Sequence, residues 1–494
     1  MEPSQCGDAS VPFDFHTLKD AFIDGGWTPA VNGARFAVCN PADGEVICEV
    51  ADCGESETLA AVAAADAAQA GWAAKPAAER SAILRRWRDL MVEHADALAA
   101  LLTAENGKPL AEARGEVLYG ASYLEWFAEE AKRLYGDVIP SGSPSNRILV
   151  IRQPVGVCAA ITPWNFPNAM LMRKAAAALG AGCTLVAKPA EDTPLSALAA
   201  VALAHEAGLP PGVFNVVTTA QPAAVGAVLT SHPRVRKITF TGSTDVGKIL
   251  LQQSATTVKR VSMELGGNAP FLVFADADLD AAIEGALASK FRNAGQTCVC
   301  ANRMLIERSV LPEFARRLAE RATALKVGDG RVHGTEVGPL INAAALEKVE
   351  RLVAEALAAG ARLRAGGQRD GAGDLFYAPT VLEGVTADMA VAREEIFGPV
   401  APLIAFDEED EAVAVANDTP YGLAAYVYTR DLGRAFRVGE ALECGMVGIN
   451  EGILSTAAAP FGGIKQSGYG REGSRHGLDD YVDIKYMLMG GLGT

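Results

Sequence analysis

The 494-residue sequence lacks the features that mark several broad classes of protein. Lys and Arg number 44 against 60 Asp and Glu, a net charge of -16 that argues against nucleic acid or an anionic membrane as a partner. The uncharged run at 153–172 has the length of a membrane span, but three prolines and two asparagines make it a poor spanning helix. No Arg precedes Arg35 and acidic residues occur before it, which predicts neither a signal nor a transit peptide.

Cysteine and histidine are also sparse. The nine cysteines are scattered and lack the paired spacing of a zinc site, so the sequence predicts no metal. Free cysteines of this kind fit a reducing compartment, and we predict a cytoplasmic protein. None of the six histidines lies in a recognisable motif, which disfavours a hydrolase built on a Cys-His pair.

What the chain does contain is a regular alternation of short apolar strands and helices from Val155 onward. Strict alternation predicts a parallel sheet with right-handed crossovers, whose ligands bind at the carboxyl ends of the strands. A second alternating block follows from Phe271 to about Asn450. The predicted strands are 155–161, 183–188, 213–218, 236–241 and 258–264, and the helices between them are about 168–180, 194–207, 222–231 and 244–254. Upstream, hairpins are predicted to about residue 55, then helices at 59–74, 81–103 and 110–134.

Two polar clusters follow predicted strands. Gly242 to Gly247 joins a strand to a helix and presents backbone N–H groups where a pyrophosphate can bind, although it is not the G-x-G-x-x-G fingerprint and a purely structural turn stays possible. Lys188 and Glu191 end another strand. A carboxylate there accepts the adenosine ribose hydroxyls and repels a 2′-phosphate, while a surface salt bridge is the alternative.

Three further residues have the chemistry of a catalytic group. Cys298 follows a predicted helix that stops at Gly295, and a strand at 303–306 comes next, so the thiol lies in a tight loop. Glu264 ends a strand between apolar residues and two glycines, where desolvation raises a carboxyl pKa and favours a general base. Asn165 is a candidate oxyanion donor. The alternatives are a buried cysteine, an ion-paired glutamate and an asparagine that caps the helix opening at Pro167.

Seven segments, in this order, resemble the aldehyde dehydrogenase superfamily from about Phe22 to Tyr486. They are Trp164-Asn165-Phe166-Pro167, Lys188-Pro189-Ala190, Phe240-Thr241-Gly242-Ser243-Thr244, Met263-Glu264-Leu265-Gly266-Gly267, Gly295-Gln296-Thr297-Cys298, Glu395-Ile396-Phe397-Gly398-Pro399 and Pro460-Phe461-Gly462-Gly463. Within the superfamily, residues 290–303 and 462–485 are most similar to succinate-semialdehyde dehydrogenases.

The resemblance implies an α/β fold with three parts. A Rossmann-like parallel-sheet cofactor domain would comprise 1–131 and 153–264, and an α/β catalytic domain 265–460. Small β oligomerisation arms would comprise 132–152 and 478–494 and hold a homodimer or homotetramer together. NAD is the expected cofactor, with NADP possible. The implied cofactor contacts are Thr162, Pro163, Trp164, Lys188, Glu191, Gly226, Gly242, Ser243, Val246, Leu265, Glu395 and Phe397.

The resemblance also implies a mechanism. The Cys298 thiolate attacks the aldehyde, and Asn165 with the backbone N–H of Cys298 holds the oxyanion. After hydride transfer, water activated by Glu264 hydrolyses the thioester to an acid. Because a helix C-terminus should raise the thiol pKa, we expect Lys174, bound cofactor and Glu264 to share its activation.

The substrate implied by the resemblance is a short semialdehyde acid, succinate semialdehyde first of all. Arg292 and Arg173 would clamp its distal carboxylate beside Ser455, although Arg292 could instead complement the helix dipole. Adjacent on a helix, Arg173 and Lys174 project about 100° apart and serve different points. Glutarate or 2-oxoglutarate semialdehyde are rival substrates. A CoA-acylating enzyme is disfavoured by Glu264, and a catalytically silent relative by the presence of both Cys298 and Glu264.

Cys300 lies two residues after the expected nucleophile. A reversible disulfide with Cys298 would switch the enzyme off under oxidation, although so short a ring is strained. A spectator thiol is the alternative.

Overall fold

The computed structural model describes residues 18–492, and it contains 22 strands within that range. They are β1 (Ala21–Ile23), β2 (Gly26–Thr28), β3 (Arg35–Cys39), β4 (Val46–Ala51), β5 (Asp137–Ile139), β6 (Arg147–Pro154), β7 (Val157–Ile161), β8 (Thr184–Lys188), β9 (Phe214–Val216), β10 (Val235–Thr241), β11 (Arg260–Glu264), β12 (Ala269–Val273), β13 (Ala301–Glu307), β14 (Arg362–Ala365), β15 (Thr380–Glu383), β16 (Val400–Phe406), β17 (Tyr421–Gly422), β18 (Ala424–Tyr428), β19 (Met446–Ile449), β20 (Ile464–Lys465), β21 (Gly468–Tyr469) and β22 (Val482–Met489).

Fourteen α-helices occur among the same residues. They are α1 (Glu55–Ala74), α2 (Ala77–Glu93), α3 (Ala95–Asn106), α4 (Leu110–Glu130), α5 (Pro167–Ala181), α6 (Leu195–Glu206), α7 (Pro222–Ser231), α8 (Thr244–Ala255), α9 (Leu279–Lys290), α10 (Leu311–Ala324), α11 (Ala343–Ala358), α12 (Ala390–Arg393), α13 (Glu409–Asn417) and α14 (Leu432–Ala441). None of them is both long and apolar enough to cross a membrane. Predictions that concern residues 1–17 and 493–494, including the absence of a targeting segment, lie outside the described residues.

The first large sheet has eight strands in the order β2-β1-β9-β8-β7-β10-β11-β21. Its five central strands are parallel, and β1, β2 and β21 are antiparallel edges. The predicted parallel sheet is therefore confirmed, with each predicted strand and connecting helix found within a few residues of its expected bounds. The carboxyl ends of β7, β10 and β11 lie side by side, and they carry the residues that follow Ile161, Thr241 and Glu264.

The second large sheet has seven strands in the order β14-β15-β16-β13-β12-β18-β19, all parallel except the β14 edge. It confirms the second alternating block. A three-stranded antiparallel sheet, β22-β6-β5, is formed from the segments expected to be arms. The domain boundaries themselves stay a prediction.

One predicted helix is wrong. The amphipathic pattern over 81–103 indicated a single helix, but α2 and α3 are separate and meet at His94, whose φ of -98° and ψ of 18° leave the helical range. Both helices turn apolar side chains such as Met91 and Leu98 into the same core. The apolar spacing continues from α2 into α3, and no Gly or Pro marks the end of α2. The sequence alone could therefore not locate the break at His94.

Helix α5 is buried along its whole length, from Pro167 to Ala181. Its run of alanines lets it pack closely between the parallel sheet and α4. Any charged residue on this helix must therefore be neutralised by another protein group, because no water reaches it.

Candidate active site

The loop that carries Cys298 is fixed by an unusual backbone conformation. Helix α9 ends at Lys290, and Asn293, Ala294 and Gly295 follow with φ of 50°, 54° and 75°. The left-handed stop predicted at Gly295 is confirmed, but it begins two residues earlier. Non-glycine residues rarely adopt this conformation, so the surrounding contacts must hold it.

Those contacts come from three directions. The backbone N–H of Asn293 donates to Oε2 of Glu112 on α4 at 2.8 Å. The Gln296 side chain donates to the Asn293 carbonyl at 3.1 Å and accepts the Ile341 N–H at 2.9 Å. Behind the loop, a Cβ on Gly267 would collide with the Cys298 carbonyl. The second glycine after Glu264 thus permits the close approach of β11 to the loop.

Cys298 lies where two cavities meet. One, of about 350 Å³, opens toward the carboxyl ends of the parallel strands. The other, of about 270 Å³, lies on the opposite side, between α4 and the segment 453–461. Cys298 and Met170 line both. A thiol at this junction can meet one molecule from each side.

The surroundings of Cys298 favour the protonated thiol. Burial raises its pKa to about 12, Arg173 lowers it, Glu395 and Glu264 raise it, and Arg292 lowers it. The sequence predicts that Lys174, bound cofactor and Glu264 share the activation, but the charge of Glu264 raises the thiol pKa instead. In the structure the two cations that favour the thiolate are both arginines.

Glu264 ends β11 and is buried, and its Oε2 makes no protein hydrogen bond. Burial raises its pKa well above the usual range, and the charge of Glu472 raises it further. Arg173 and Lys174 act in the opposite direction. These effects favour the protonated form of Glu264, which becomes a base only once that proton is lost.

Glu472 is the residue that organises these charges, and sequence reasoning missed it. It forms buried ion pairs with both Arg173 and Lys174, and the Lys174 ammonium also donates to Oγ1 of Thr241 at 2.6 Å. The two cations keep Glu472 ionised by lowering its pKa against the effect of burial. A single glutamate in a Gly-rich tail carries no periodic signal, so only the tertiary contact identifies it.

Asn165 lies in the tight turn before α5, and its alternative role as a helix cap is not observed. The N-cap of α5 is Phe166, and the N-cap residue makes no side-chain capping hydrogen bond. The Asn165 amide donates one hydrogen bond to the Gln296 carbonyl at 3.0 Å. It also lines the larger cavity together with Cys298.

Seven of the twelve predicted cofactor contacts line the larger cavity. They are Pro163, Trp164, Gly242, Ser243, Leu265, Glu395 and Phe397. Thr162 and Lys188 are buried next to each other at the ends of β7 and β8, and Glu191 pairs with Lys188 at 3.0 Å and lines an adjoining groove of about 920 Å³. Gly226 and Val246 lie on α7 and α8, outside the lining of the larger cavity.

These residues fit a dinucleotide. The twelve-residue helix α8 begins at Thr244. Its N-cap, Ser243, faces the larger cavity and accepts the Val246 N–H at 3.4 Å. Helix N-termini of this kind bind phosphates. Glu395 accepts the Gly267 N–H through one oxygen at 2.8 Å, and burial raises its pKa to about 7. Trp164 and Phe397 pack edge to face at 5.5 Å on the same wall.

The smaller cavity holds one of the two arginines predicted to bind substrate. Arg292 lines it together with Ser455, and no carboxylate among residues 18–492 lies within 4.0 Å of its guanidinium. Arg173 does not line the cavity. It lies behind the wall, where it donates to the sulfur of Met170 at 2.7 Å and stacks 4.3 Å from the Phe461 ring.

Cys300 is buried, and its sulfur lies 3.6 Å from the Lys290 carbonyl and 3.7 Å from the Ala301 carbonyl. Eight cysteines of the described range are free thiols, Cys298 and Cys300 among them. Within the same range no cluster of three or more His, Cys, Asp or Glu side chains could hold a metal ion.

The sequence was also compared with models of known protein families. Residues 27–487 match the model of the aldehyde dehydrogenase family. The chain belongs to the aldehyde dehydrogenase family. It is an NAD(P)-dependent enzyme that oxidises aldehydes.

Similar members of the aldehyde dehydrogenase family cover nearly the whole chain. A 3-sulfolactaldehyde dehydrogenase of Pseudomonas putida is 57% identical over 96% of this chain and 97% of its own. An NADP(+)-dependent succinate-semialdehyde dehydrogenase of Escherichia coli is also 57% identical, over 96% of this chain and 98% of its own. The crystal structure of succinate-semialdehyde dehydrogenase from Burkholderia pseudomallei has a TM-score of 0.96 at 56% identity, over 98% of this chain and 100% of that one.

Proposed function

We propose that the enzyme oxidises short aldehydes that carry an anionic group at the far end, with succinate semialdehyde as the substrate and succinate as the product. The observation that carries this proposal is the position of Arg292. It faces the same cavity as Cys298, and no carboxylate of the described residues lies within 4.0 Å of its guanidinium, although Glu112 and Glu116 line the same cavity. A distal carboxylate would supply the missing partner, and a charge-assisted pair with an arginine is strong and directional.

The catalytic residues act in sequence on the thiol adduct. The Cys298 thiol gives its proton to a water molecule in the cavity, and the thiolate attacks the aldehyde carbon. The oxyanion that forms accepts hydrogen bonds from the Asn165 amide and the Cys298 backbone N–H. The bound nicotinamide supplies the hydride acceptor. Glu264 then removes a proton from water, which attacks the thioester on Cys298 and releases the acid. Lys174 acts at a distance, because its charge lowers the pKa of Glu264 while it stays paired with Glu472.

Two names among the relatives support the distal anion. One relative is named for 3-sulfolactaldehyde and another for succinate semialdehyde, and both molecules are short aldehydes with an anion. Both Arg292 and the Ser455 hydroxyl can bind such a group. Arg173 contributes through the cavity wall, since Met170 and Phe461 separate it from the cavity. Glutarate and 2-oxoglutarate semialdehyde remain rivals, because one methylene changes binding by only about 1 to 3 kcal/mol.

The test compares succinate semialdehyde with butanal, which has the same chain length and no charge. Arg292→Ala should lower kcat/KM for succinate semialdehyde by about 10- to 100-fold, because hydrogen bonds to charged groups contribute about 1.5–3 kcal/mol. The kcat/KM for butanal should change little. NADH absorbance measures both rates. An equal loss for the two aldehydes would rule out the distal clamp, and no NADH with any aldehyde would rule out the activity.

The preference for NAD over NADP is a further proposal. Glu191 is exposed by about two fifths and pairs with Lys188, so its carboxylate is available to ribose hydroxyls and repels a 2′-phosphate. Glu191→Ser should lower the KM for NADP while raising that for NAD. If the ratio of the two KM values stays the same, Glu191 does not select the cofactor.

Assembly through the arms and a cytoplasmic location are also proposed. The sheet β22-β6-β5 exposes apolar side chains that an isolated chain would leave in water, which supports a homodimer or homotetramer. The eight free thiols support a reducing compartment. Fractionation of the producing cells would test the location, and recovery of the enzyme outside the cytosolic fraction would contradict it.

A further inference from the structure

A buried ion pair next to the active site has no role in the mechanism above. Lys108 and Glu116 lie 2.6 Å apart, and the side chain of each is 1% exposed. Lys108 follows Gly107, the left-handed cap of α3, and Glu116 lies on α4. Isolated from water, such a pair is a poor source of stability, since its desolvation cost can exceed its attraction. Its contacts suggest another use.

Each member of the pair holds one part of the turn that contains Asn165. The Lys108 ammonium donates to the Asn165 carbonyl at 2.7 Å and lies 4.0 Å from the centre of the Phe166 ring. Glu116 accepts the backbone N–H groups of Asn168 and Ala169 at 2.9 and 3.2 Å. These are two of the N–H groups that the first turn of α5 leaves unpaired.

The pair therefore fixes the backbone of the turn on both sides of Phe166. The Asn165 carbonyl also accepts the side-chain amide of Asn293 at 3.0 Å, which ties it to the loop of Cys298. The Asn165 side chain uses one N–H on the Gln296 carbonyl and leaves the second free. The direction of that second N–H is set by the backbone that Lys108 and Glu116 hold.

We propose that Lys108 and Glu116 form a positioning pair, which holds the Asn165 amide at the point where the oxyanion forms on the Cys298 adduct. The inference rests on the proposed function, because it takes Asn165 as the oxyanion donor. An oxyanion donor must lie 2.7–3.1 Å from the developing charge, and a displacement of 1 Å can cost about 100-fold in rate. A rigid, charged support behind the turn meets that requirement.

The variant that tests this pair is Lys108→Met with Glu116→Gln. It removes both charges together, and the glutamine oxygen can still accept the Asn168 and Ala169 N–H groups. We expect kcat with succinate semialdehyde to fall by about 10- to 100-fold. The test rests on kcat, because Glu116 also lines the smaller cavity and its charge can act on KM. The matched control is Arg114→Met with Asp96→Asn. It removes an exposed ion pair of 2.7 Å that α4 makes with α3, and it should keep full activity.

A double-mutant cycle with Asn165→Ala separates positioning from general damage. The substitution removes the amide and leaves the carbonyl that Lys108 binds. If the pair acts through the amide, Asn165→Ala alone should lower kcat by about 10²- to 10³-fold, and loss of the pair should add little to it. Two independent losses that multiply would overturn the positioning role, as would unchanged kcat in the pair variant. Unchanged kcat in Asn165→Ala would instead overturn the oxyanion assignment, while NADH formation by the wild-type enzyme stands as a separate test of the activity.

If the double substitution does not fold, Glu116→Gln alone gives the same test. Burial lowers the pKa of Lys108, so the lysine can lose its proton and leave no unpaired charge in the interior. The expected fall in kcat is smaller, and it should again disappear in the Asn165→Ala background. A fall that persists there would overturn the positioning role.

Discussion

At the scale of single residues, four buried charges determine when Glu264 can act. Two of these charges are the carboxylates of Glu264 and Glu472, and two are the cations of Arg173 and Lys174. The two cations form ion pairs with Glu472 and none with Glu264. The cations pair with Glu472, so the remaining cost of a buried charge falls on Glu264 and raises its pKa. Glu264 is in the basic form only above that raised pKa. The hydrolysis step should therefore slow as the pH falls through it.

Glu472→Gln should make Glu264 a base at lower pH. The substitution removes a negative charge that raises the Glu264 pKa and frees two cations that lower it, so all three effects have the same sign. The acid limb of kcat against pH should move down by about one pH unit or more, given 1.36 kcal/mol per unit. Glu472→Asp keeps the charge and should leave the limb in place. An upward shift would contradict this account. Glu264→Gln removes the base, so this variant should form one equivalent of NADH and then stop.

The predicted disulfide between Cys298 and Cys300 can be tested against the spectator alternative. Cys300 faces the Lys290 carbonyl, so it must turn to reach Cys298. Wild-type enzyme inactivated by peroxide should recover with dithiothreitol, because a disulfide protects the nucleophile from further oxidation. Cys300→Ala should recover far less, while Cys444→Ala, which removes another free thiol, should behave as wild type. Equal recovery in the two variants would leave Cys300 a spectator.

At the scale of elements, the sequence was informative where structure is local. Strands β7 to β11 and the helices between them repeat apolar residues and turn residues at regular spacing, so their order and parallel pairing could be predicted. The break at His94 could not, because tertiary packing on both sides causes it. The left-handed run that begins at Asn293 could not either, since contacts from α4 and Ile341 hold it. Glu472, Lys108 and Glu116 were missed for the same reason.

Gly295 gives an element-scale prediction about that loop. Its φ is 75°, and an added Cβ would collide with the Gly398 carbonyl. Backbone strain alone would cost about 1–2 kcal/mol, and the collision should make the loss of stability in Gly295→Ala larger than that. The substitution should also lower kcat, because Cys298 lies three residues away. Gly360→Ala is the control. That glycine has a φ of 102° but open space around it, so only the strain applies. Thermal unfolding and kcat measure both, and equal effects would contradict the argument.

At the scale of the whole molecule, the active site belongs to no single sheet. Glu264 ends a strand of the eight-stranded sheet, and Cys298 precedes a strand of the seven-stranded sheet. Strand β21, from the tail, pairs with β11 beside Glu264, and the same tail supplies Glu472. The catalytic groups therefore come together only when both sheets and the C-terminal tail have packed. For this reason the motifs are spread over some 300 residues and are not gathered in one segment.

The arm sheet β22-β6-β5 exposes several large apolar side chains among the described residues. On one of its faces, alternate residues of β22 and β6 carry Ile484, Tyr486 and Val150, with Ile484 70% and Tyr486 59% exposed. Apolar faces of this kind mark protein interfaces, and assembly with a second copy would bury them. Ile484→Asp with Tyr486→Asp should yield folded monomers, because burying two unpaired carboxylates in an apolar interface is costly. Lys485→Asp, on the opposite face, should leave the assembly intact. Sedimentation velocity gives the mass and circular dichroism the fold. A wild-type monomer, or a double variant of unchanged mass, would show that this face does not hold subunits together.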